Sequence, residues 1–367
     1  MSLAVIGLFV LGLILLVGGA ELLVRGASRL GLHFGISPLV IGLTIVAFGT
    51  SSPEMAVSVQ AGLAGQSDLA VGNVVGSNIF NVLFILGLAA LIAPLVVPRQ
   101  LVRFDVPLVV GLSALFWIMA FDGRIGLLDG LLLTAGIVAY TVFTVWKSRQ
   151  QSPEVQAEYA QEFGDAPVGW LARLPVQIAF IVIGLALLVL GAAWLVASAV
   201  AMALALGVSE AVIGLTIVAA GTSLPELATS LVAAARGERE IAVGNVVGSS
   251  VFNILAIVGI ASLVTPGGLA VSPAILNFDL PVMIAVAFAC VPIFAGQTIA
   301  RWHGVLFIGY YLAYVAYLVL DTTAHAALPA FSGAMLGFVM PLTAVTLLIL
   351  WVRQRAALTP PSGRPGG

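Results

Sequence analysis

Two stretches of the chain decide its fold. Residues 42–87 read GLTIVAFGTSSPEMAVSVQAGLAGQSDLAVGNVVGSNIFNVLFILG, and residues 214–259 read GLTIVAAGTSLPELATSLVAAARGEREIAVGNVVGSSVFNILAIVG. Aligned without a gap, they are identical at 28 of 46 positions, and the identities concentrate in two polar motifs, G-T-S-x-P-E and G-N-V-V-G-S-x-x-F-N. Polar residues inside apolar helices are costly in a membrane, so a repeated polar motif indicates where the function lies.

The composition is that of a membrane protein. Of 367 residues, 61% are hydrophobic and 8% are charged, and the mean hydropathy is +1.17. This predicts several membrane spans in contact with the lipid bilayer. The net charge of -2 says nothing about nucleic-acid or acidic partners, and we expect no nucleic-acid partner for a membrane protein of this kind. The single Cys290 excludes an intrachain disulfide. The N-terminal stretch lacks the basic region of a signal peptide, so we expect a retained first helix.

Apolar runs of about 20 residues, long enough to cross the hydrocarbon core, predict eleven transmembrane helices. The second and seventh carry the G-T-S-x-P-E motif and are expected to be broken. The predicted fold class is an all-α integral membrane protein, with spans at residues 3–24, 37–64, 69–92, 104–121, 125–146, 175–197, 209–235, 240–264, 274–295, 302–320 and 330–351.

One long polar connection separates two sets of five spans. We predict a first repeat at 1–146, a linker at 147–173 with a surface helix near 154–162, a second repeat at 174–321, and an eleventh span and tail at 322–367. Equivalent spans are five crossings apart, so the second repeat enters the membrane in the opposite direction. An inverted-topology repeat with broken helices is the usual architecture of a secondary transporter.

Basic residues fall almost entirely on one side of these predicted spans. Thirteen of the 14 Lys and Arg residues lie there, and only Arg124 lies on the other side. The positive-inside rule then predicts a cytoplasmic linker, a cytoplasmic C-terminus and an N-terminus outside.

The first polar motif brings oxygen atoms together at membrane depth. In a helix, Pro53 would leave the carbonyl oxygen of Gly49 without a hydrogen-bond donor, and Pro225 would do the same for Gly221. A cation is one partner for such an oxygen. Helical spacing also places a carboxylate and two hydroxyls on one face in each copy; these residues are Thr50, Ser51 and Glu54, and Thr222, Ser223 and Glu226.

The second motif adds hydroxyl and amide oxygens. Ser77 and Asn81 are four residues apart, as are Ser249 and Asn253. Together the motifs predict an all-oxygen site, which suits hard cations such as Na⁺ and Ca²⁺ rather than transition metals. An ionisable side chain at the bilayer centre costs about 2.5 to 3.5 kcal/mol on insertion scales. A divalent cation, monovalent cations or protons would each balance the two glutamates, which indicates cation antiport; the alternative is that both are protonated or hydrogen-bonded core groups.

Other conspicuous residues have simpler interpretations. The G-x-x-x-G spacing of Gly72 and Gly76, and of Gly244 and Gly248, is typical of close helix packing. The tyrosines at 310, 311, 314 and 317 are expected to form a packing face and interfacial belt. The remaining acids lie toward span ends, where we expect hydrated interfacial or capping groups: Glu21, Asp105, Asp122, Asp129, Glu210, Asp279 and Asp321.

The paired motifs resemble the two alpha-repeats of the cation/calcium antiporter superfamily, and specifically its sodium/calcium exchanger branch of prokaryotic type. Proton-coupled calcium exchangers of that superfamily carry G-N-x-x-E where this chain has GTSSPE and GTSLPE. The resemblance covers the first ten spans. It implies location in the cell (inner) membrane of a prokaryote.

The resemblance also implies roles for individual residues. Glu54 and Glu226 would be central carboxylates shared by Ca²⁺ and Na⁺. Asn81 and Asn253 stand where family members have Asn or Asp, and two amides fit a single Ca²⁺ and argue against potassium co-transport. The remaining implied ligands contribute hydroxyl or carbonyl oxygens to flanking sodium sites: Thr50, Ser51, Ser77, Thr222, Ser223, Ser249, and the carbonyls of Ala47 and Ala219.

The predicted function is antiport of Na⁺ and Ca²⁺ by alternating access, with the first and sixth spans sliding across the rest. The alternative within transport is H⁺-coupled antiport of Ca²⁺ or another divalent cation. A cation channel would lack stoichiometric exchange, and a membrane hydrolase would need a base beside its serine. We expect no tightly bound cofactor, small inorganic cations as the only soluble partners, and no enzyme activity; the sequence carries no signal for an oligomeric state.

Overall fold

The computed structural model of the protein describes residues 3–150, 173–206 and 219–358. Within these ranges nine helices are long and apolar enough to cross a membrane, and one bent helix pair makes a tenth span. The protein is therefore a multi-pass, nearly all-helical membrane protein. The following predictions lie outside the described residues: the first ten residues of the seventh span, most of the linker, the surface helix at 154–162, and Glu210.

The helices of the first half match the predicted order. The predicted break in the second span is confirmed, because two helices meet there at 45°. The helices are α1 (Leu3–Phe34), α2 (Pro38–Thr50), α3 (Ser52–Leu63), α4 (Ser67–Ile92), α5 (Leu101–Asp122) and α6 (Leu127–Arg149).

The second half repeats this order. It contains α7 (Leu174–Ala205), α8 (Ala219–Gly221), α9 (Leu224–Ala235), α10 (Arg239–Val264), α11 (Ile275–Ala295) and α12 (Arg301–Thr322). A further helix, α13 (Leu328–Ile349), is mostly exposed and continues helically to Leu358.

Equivalent helices of the two halves carry π-helical turns at equivalent positions. Asn81–Leu86 in α4 corresponds to Asn253–Val258 in α10, and Leu101–Asp105 in α5 corresponds to Ile275–Asp279 in α11. Such turns are frequent at functional sites. The first pair begins at the two asparagines that the sequence analysis assigns to the cation site.

The first helices of the two repeats, α1 and α7, pack tightly in opposite directions. Gly12 lies against Gly191, and Gly19 lies against Gly184, so residue numbers rise along one helix as they fall along the other. A Cβ at Gly19 would lie 2.7 Å from the Gly184 carbonyl oxygen, and one at Gly184 would lie 2.8 Å from the Gly19 oxygen. The antiparallel contact between equivalent helices shows that the repeats are inverted.

Two short strand pairs join the repeats outside the helices. β1 (Leu95–Val96) pairs antiparallel with β4 (Thr298–Ile299), and β2 (Arg124–Ile125) pairs antiparallel with β3 (Leu269–Ala270). Each pair takes one strand from each half. The loops of one repeat are therefore anchored on the loops of the other.

The C-terminal part of α1 is anchored on the second repeat by polar groups. Arg236 forms an ion pair with Glu21, and the Ser28 hydroxyl donates to the Glu238 carboxylate in the turn between α9 and α10. Burial raises the pKa of Glu238, against the opposing effect of the Ser28 bond. These contacts explain why α1 extends to Phe34 instead of ending near residue 24 as predicted.

The prediction of a hydrated Asp105 is wrong. This carboxylate is fully buried, where Oδ1 accepts from the Tyr140 hydroxyl at 3.1 Å and Oδ2 accepts from Gln100 at 3.4 Å. Its copy Asp279 accepts from Tyr314 at 2.8 Å but is only half-buried. By contrast, Asp129 caps α6 through the Gly126 N–H, as expected for an acid near a span end.

Tyr140→Phe is expected to destabilise the protein more than Tyr314→Phe. Removing the hydroxyl leaves a fully buried carboxylate oxygen of Asp105 without its donor, which costs about 1–3 kcal/mol. Water can replace the lost donor more easily at the half-buried Asp279. Thermal unfolding of both purified variants in detergent measures the difference, and an equal or larger loss in Tyr314→Phe would contradict it.

Candidate cation site

The first polar motif interrupts the helix in both repeats. Between α2 and α3, Ser51 has φ −80° and ψ 6°, and between α8 and α9, Ser223 has φ −90° and ψ 10°. Pro53 and Pro225 follow in the first turn of the new helix, where a missing N–H costs little. The break therefore exposes the polar ends of two half-helices inside the protein.

Serines from each break reach the glutamate of the other repeat. Ser51 Oγ donates to Glu226 Oε1 at 2.9 Å, and Ser223 Oγ donates to Glu54 Oε1 at 2.8 Å. Ser77 Oγ lies 3.1 Å from Ser223 Oγ. Glu54 and Glu226 are 1% and 0% exposed, so both carboxylates are out of contact with bulk water. The two motifs thus form a single site, to which both repeats contribute.

The site contains buried oxygen atoms for which the described part of the chain provides no hydrogen-bond partner. Asn81 follows Ser77 by one turn on α4, Asn253 follows Ser249 by one turn on α10, and all four side chains are buried. Among the described residues, no hydrogen-bond partner is found for five buried oxygens in this region: Glu54 Oε2, Glu226 Oε2, Asn81 Oδ1, Asn253 Oδ1 and Ser249 Oγ. Unpaired buried oxygens are costly, which makes this set a candidate for cation coordination.

No basic side chain neutralises the two carboxylates within the described part of the chain. The ion pairs found there join Glu21 and Glu238 to arginines and do not involve Glu54 or Glu226. The same residues contain no group of three or more His, Cys, Asp or Glu side chains that could hold a metal ion. The donor set of carboxylate, hydroxyl and amide oxygens therefore fits a hard cation better than a transition metal.

The other predicted ligands lie around the helix breaks. Thr50 is fully buried, and its hydroxyl is within 3.1 Å of the Val46 carbonyl and 3.3 Å of the Ala47 carbonyl. The Ala47 carbonyl also accepts from Ser51 N at 3.0 Å. Ala219 opens α8. The assignment of the Ala47 and Ala219 carbonyls as ligands stays a prediction.

Three asparagines outside the predicted ligand set also contact the site. Asn73 Oδ1 accepts from Thr222 at 3.2 Å, and its copy Asn245 accepts from Thr50 at 3.2 Å. Asn78 Oδ1 accepts from Asn253 Nδ2 at 3.0 Å, so the amide oxygen of Asn253 points away from Asn78. Asn73 and Asn245 were detectable, because both belong to the repeated G-N-V-V-G-S motif.

The second-repeat glycines serve close packing, as predicted. A Cβ at Gly244 would lie 2.7 Å from the Leu39 carbonyl, and one at Gly248 would lie 2.7 Å from Leu43 Cα and from the Leu43 carbonyl oxygen. This contact brings α10, with Asn245 and Ser249, against the helix that leads into the first break. Close packing thereby helps to assemble the site.

Comparisons with known proteins relate both halves of the chain to one family. The family model for sodium/calcium exchanger protein matches residues 4–146 and again residues 176–320. Inner membrane protein YrbG of Escherichia coli is 37% identical over 85% of this chain and 95% of its own length. Sodium/calcium exchanger MaX1 of Methanosarcina acetivorans is 33% identical over 85% of this chain and 97% of its own length.

A solved structure shares the fold. The sodium-calcium exchanger NCX_Mj, soaked with Na⁺ and Ca²⁺, superposes with a TM-score of 0.73 at 32% identity and covers 86% of this chain and 99% of that chain. α13 begins beyond residue 320, where the family match ends. With both halves matched to one family model, the chain belongs to the sodium/calcium exchanger family of membrane exchangers.

Proposed function

We propose that this protein exchanges Na⁺ for Ca²⁺ across the membrane by alternating access, with Glu54 and Glu226 binding the two ions in turn. The observation that carries the proposal is the reciprocal pair of bonds from Ser51 to Glu226 and from Ser223 to Glu54. Each bond engages only one oxygen of its carboxylate and leaves Oε2 without a partner among the described residues. One oxygen of each glutamate is therefore available to a cation.

The charge of the site suits one divalent ion. Two carboxylates balance a single Ca²⁺, and the amides of Asn81 and Asn253 contribute oxygen without charge. Na⁺ and Ca²⁺ then compete for Glu54 and Glu226, which is the physical basis of exchange. Neutral oxygens of Thr50, Ser51, Thr222 and Ser223 serve flanking sodium positions in this proposal.

Membership of the exchanger family supports the same assignment. MaX1 and NCX_Mj are both named as sodium/calcium exchangers, and the inverted repeat is the usual architecture for alternating access. The closely packed α1–α7 pair is the part we expect to slide as one body. We further propose a cytoplasmic C-terminus and an N-terminus outside, from the distribution of Lys and Arg. The cations are substrates, and the proposal includes no resident cofactor.

Calcium uptake into proteoliposomes tests the proposed function. Vesicles loaded with Na⁺ and diluted into Na⁺-free medium are expected to take up ⁴⁵Ca²⁺, driven by the outward sodium gradient. Vesicles loaded with choline at the same ionic strength are the matched control. Equal uptake by the two preparations would show that sodium is not the coupling ion.

A pH gradient separates the proton-coupled alternative. Both glutamates could carry protons instead of Na⁺, in which case acid-loaded, sodium-free vesicles would accumulate ⁴⁵Ca²⁺. We expect no stimulation above the choline control in that arm. Uptake driven by the pH gradient alone would replace Na⁺ by H⁺ in the proposal.

A further inference from the structure

Asn73 and Asn245 connect the two repeats by the same set of bonds. Asn73 Nδ2 donates to Ser58 Oγ at 3.0 Å and to the Glu54 carbonyl at 3.3 Å, while its Oδ1 accepts from Thr222 in the other repeat. Each asparagine therefore holds one repeat with its amide nitrogen and the other repeat with its oxygen.

Asn245 forms the copy of this arrangement. Its Nδ2 donates to Ser230 Oγ at 2.9 Å and to the Glu226 carbonyl at 3.3 Å. Its Oδ1 lies 3.2 Å from the Thr50 hydroxyl, whose single proton also has the Val46 carbonyl within 3.1 Å and the Ala47 carbonyl within 3.3 Å. The two sets of bonds are reciprocal, as are the serine–glutamate bonds of the site. Each partner of Asn73 therefore has its copy among the partners of Asn245, although the flanking residues differ.

The bond from Thr222 to Asn73 orients a hydroxyl at the break of the second repeat. A hydroxyl has one proton and two lone pairs. When Thr222 gives its proton to Asn73, its lone pairs remain free to accept a cation. The nitrogen of Asn73 meanwhile fixes its amide plane against Ser58 and the Glu54 carbonyl, so the acceptor is held in place before any ion binds.

We infer that Asn73 and Asn245 are positioning residues that hold the Thr222 and Thr50 hydroxyl oxygens for Na⁺. Both ends of each amide are engaged by protein groups, so the asparagines act through the threonines. The inference rests on the proposed function, in which neutral oxygens near the breaks serve sodium and the glutamates dominate Ca²⁺ binding. Loss of either asparagine should therefore weaken Na⁺ binding more than Ca²⁺ binding.

Two transport modes separate the two ions. In sodium-driven uptake, Asn73→Ala is expected to raise the half-saturating Na⁺ concentration about threefold to tenfold, the effect of one hydrogen bond. In sodium-free Ca²⁺–Ca²⁺ exchange, the KM for Ca²⁺ is expected to change less than twofold. A smaller shift in the same direction is expected for Asn245→Ala, because the Val46 and Ala47 carbonyls can still accept the Thr50 proton. A KM for Ca²⁺ raised as much as the sodium requirement would overturn the inference.

Matched variants test whether Asn73 acts through Thr222. Thr222→Val removes the hydroxyl and should reproduce the sodium shift, and the double variant with Asn73→Ala should be no worse than Thr222→Val alone. Ser52→Ala, which removes an exposed hydroxyl that donates only to the Phe48 carbonyl, should leave the sodium requirement unchanged. Additive effects, or a normal sodium requirement in Thr222→Val, would overturn the inference.

Thr222→Val keeps this test decisive if Asn73→Ala does not fold. Failure of the proposed function itself is visible separately, because the unmodified protein would then show no sodium-driven uptake while Ca²⁺–Ca²⁺ exchange could still be measured.

Discussion

Glu54→Gln and Glu226→Gln are each expected to abolish sodium-driven Ca²⁺ uptake. Each change removes one of the two negative charges that face the ion while keeping the side-chain volume. Removing one partner of a buried charge pair costs about 2 kcal/mol or more, equivalent to a loss of binding of roughly 30-fold or more. The reciprocal serine bonds make the two glutamates equivalent, so both variants should fail to a similar extent.

The control for this prediction is Asp321→Asn. Asp321 is exposed at the end of α12, and its neutralisation changes the net charge by the same amount as the glutamate variants. It should retain full uptake. Wild-type uptake in either glutamate variant, at equal amounts of folded protein, would contradict the assignment of the site.

Gly19→Val is expected to disrupt the protein, whereas Gly18→Val is expected to be tolerated. A Cβ at Gly19 would lie 2.7 Å from the Gly184 oxygen and 2.8 Å from the Leu188 nitrogen, both backbone atoms of α7. Because backbone cannot turn aside as a side chain can, the helices must separate. Such overpacking costs roughly 1–3 kcal/mol or more, and transport should fall with it.

Gly18 provides the control from the adjacent position of the same helix. It is exposed, and a Cβ there meets no described atom within 4 Å. Valine carries the same cost in helix propensity at both sites, so the difference between them reports only the contact with α7. Thermal unfolding in detergent should separate the variants clearly, and equal midpoints would contradict the close antiparallel contact.

The architecture was predictable because the sequence contains two repeats that carry the same polar motifs. The lengths of the apolar runs predicted the order of the spans. The separation of equivalent spans by five crossings predicted the inversion, and Pro53 predicted the break in the second span. The length of α1 was not predictable, since Arg25 and Arg29 suggested its end. The helix continues past both arginines because the second repeat packs against it there in place of water, and Glu238 of that repeat accepts a hydrogen bond from Ser28.

The site was predictable in composition but only partly in connectivity. Helical spacing groups Ser51 with its own Glu54, yet Ser51 donates to Glu226. An exchange of partners between repeats depends on tertiary packing, which spacing along one helix cannot reveal. The prediction of a hydrated Asp105 failed for a similar reason, because its hydrogen-bond partner Tyr140 is 35 residues away on the next helix. The only sequence feature that pointed to Asn73 and Asn245 was their occurrence at the same position of the motif in both repeats.

Equilibrium binding to the purified protein tests the shared site most directly. Calorimetric titration with Ca²⁺ in sodium-free choline buffer is expected to show one Ca²⁺ per chain. Adding Na⁺ should raise the apparent Kd for Ca²⁺ progressively, because both ions require Glu54 and Glu226. An unchanged Kd for Ca²⁺ at saturating Na⁺ would contradict the central claim that one pair of glutamates serves both ions.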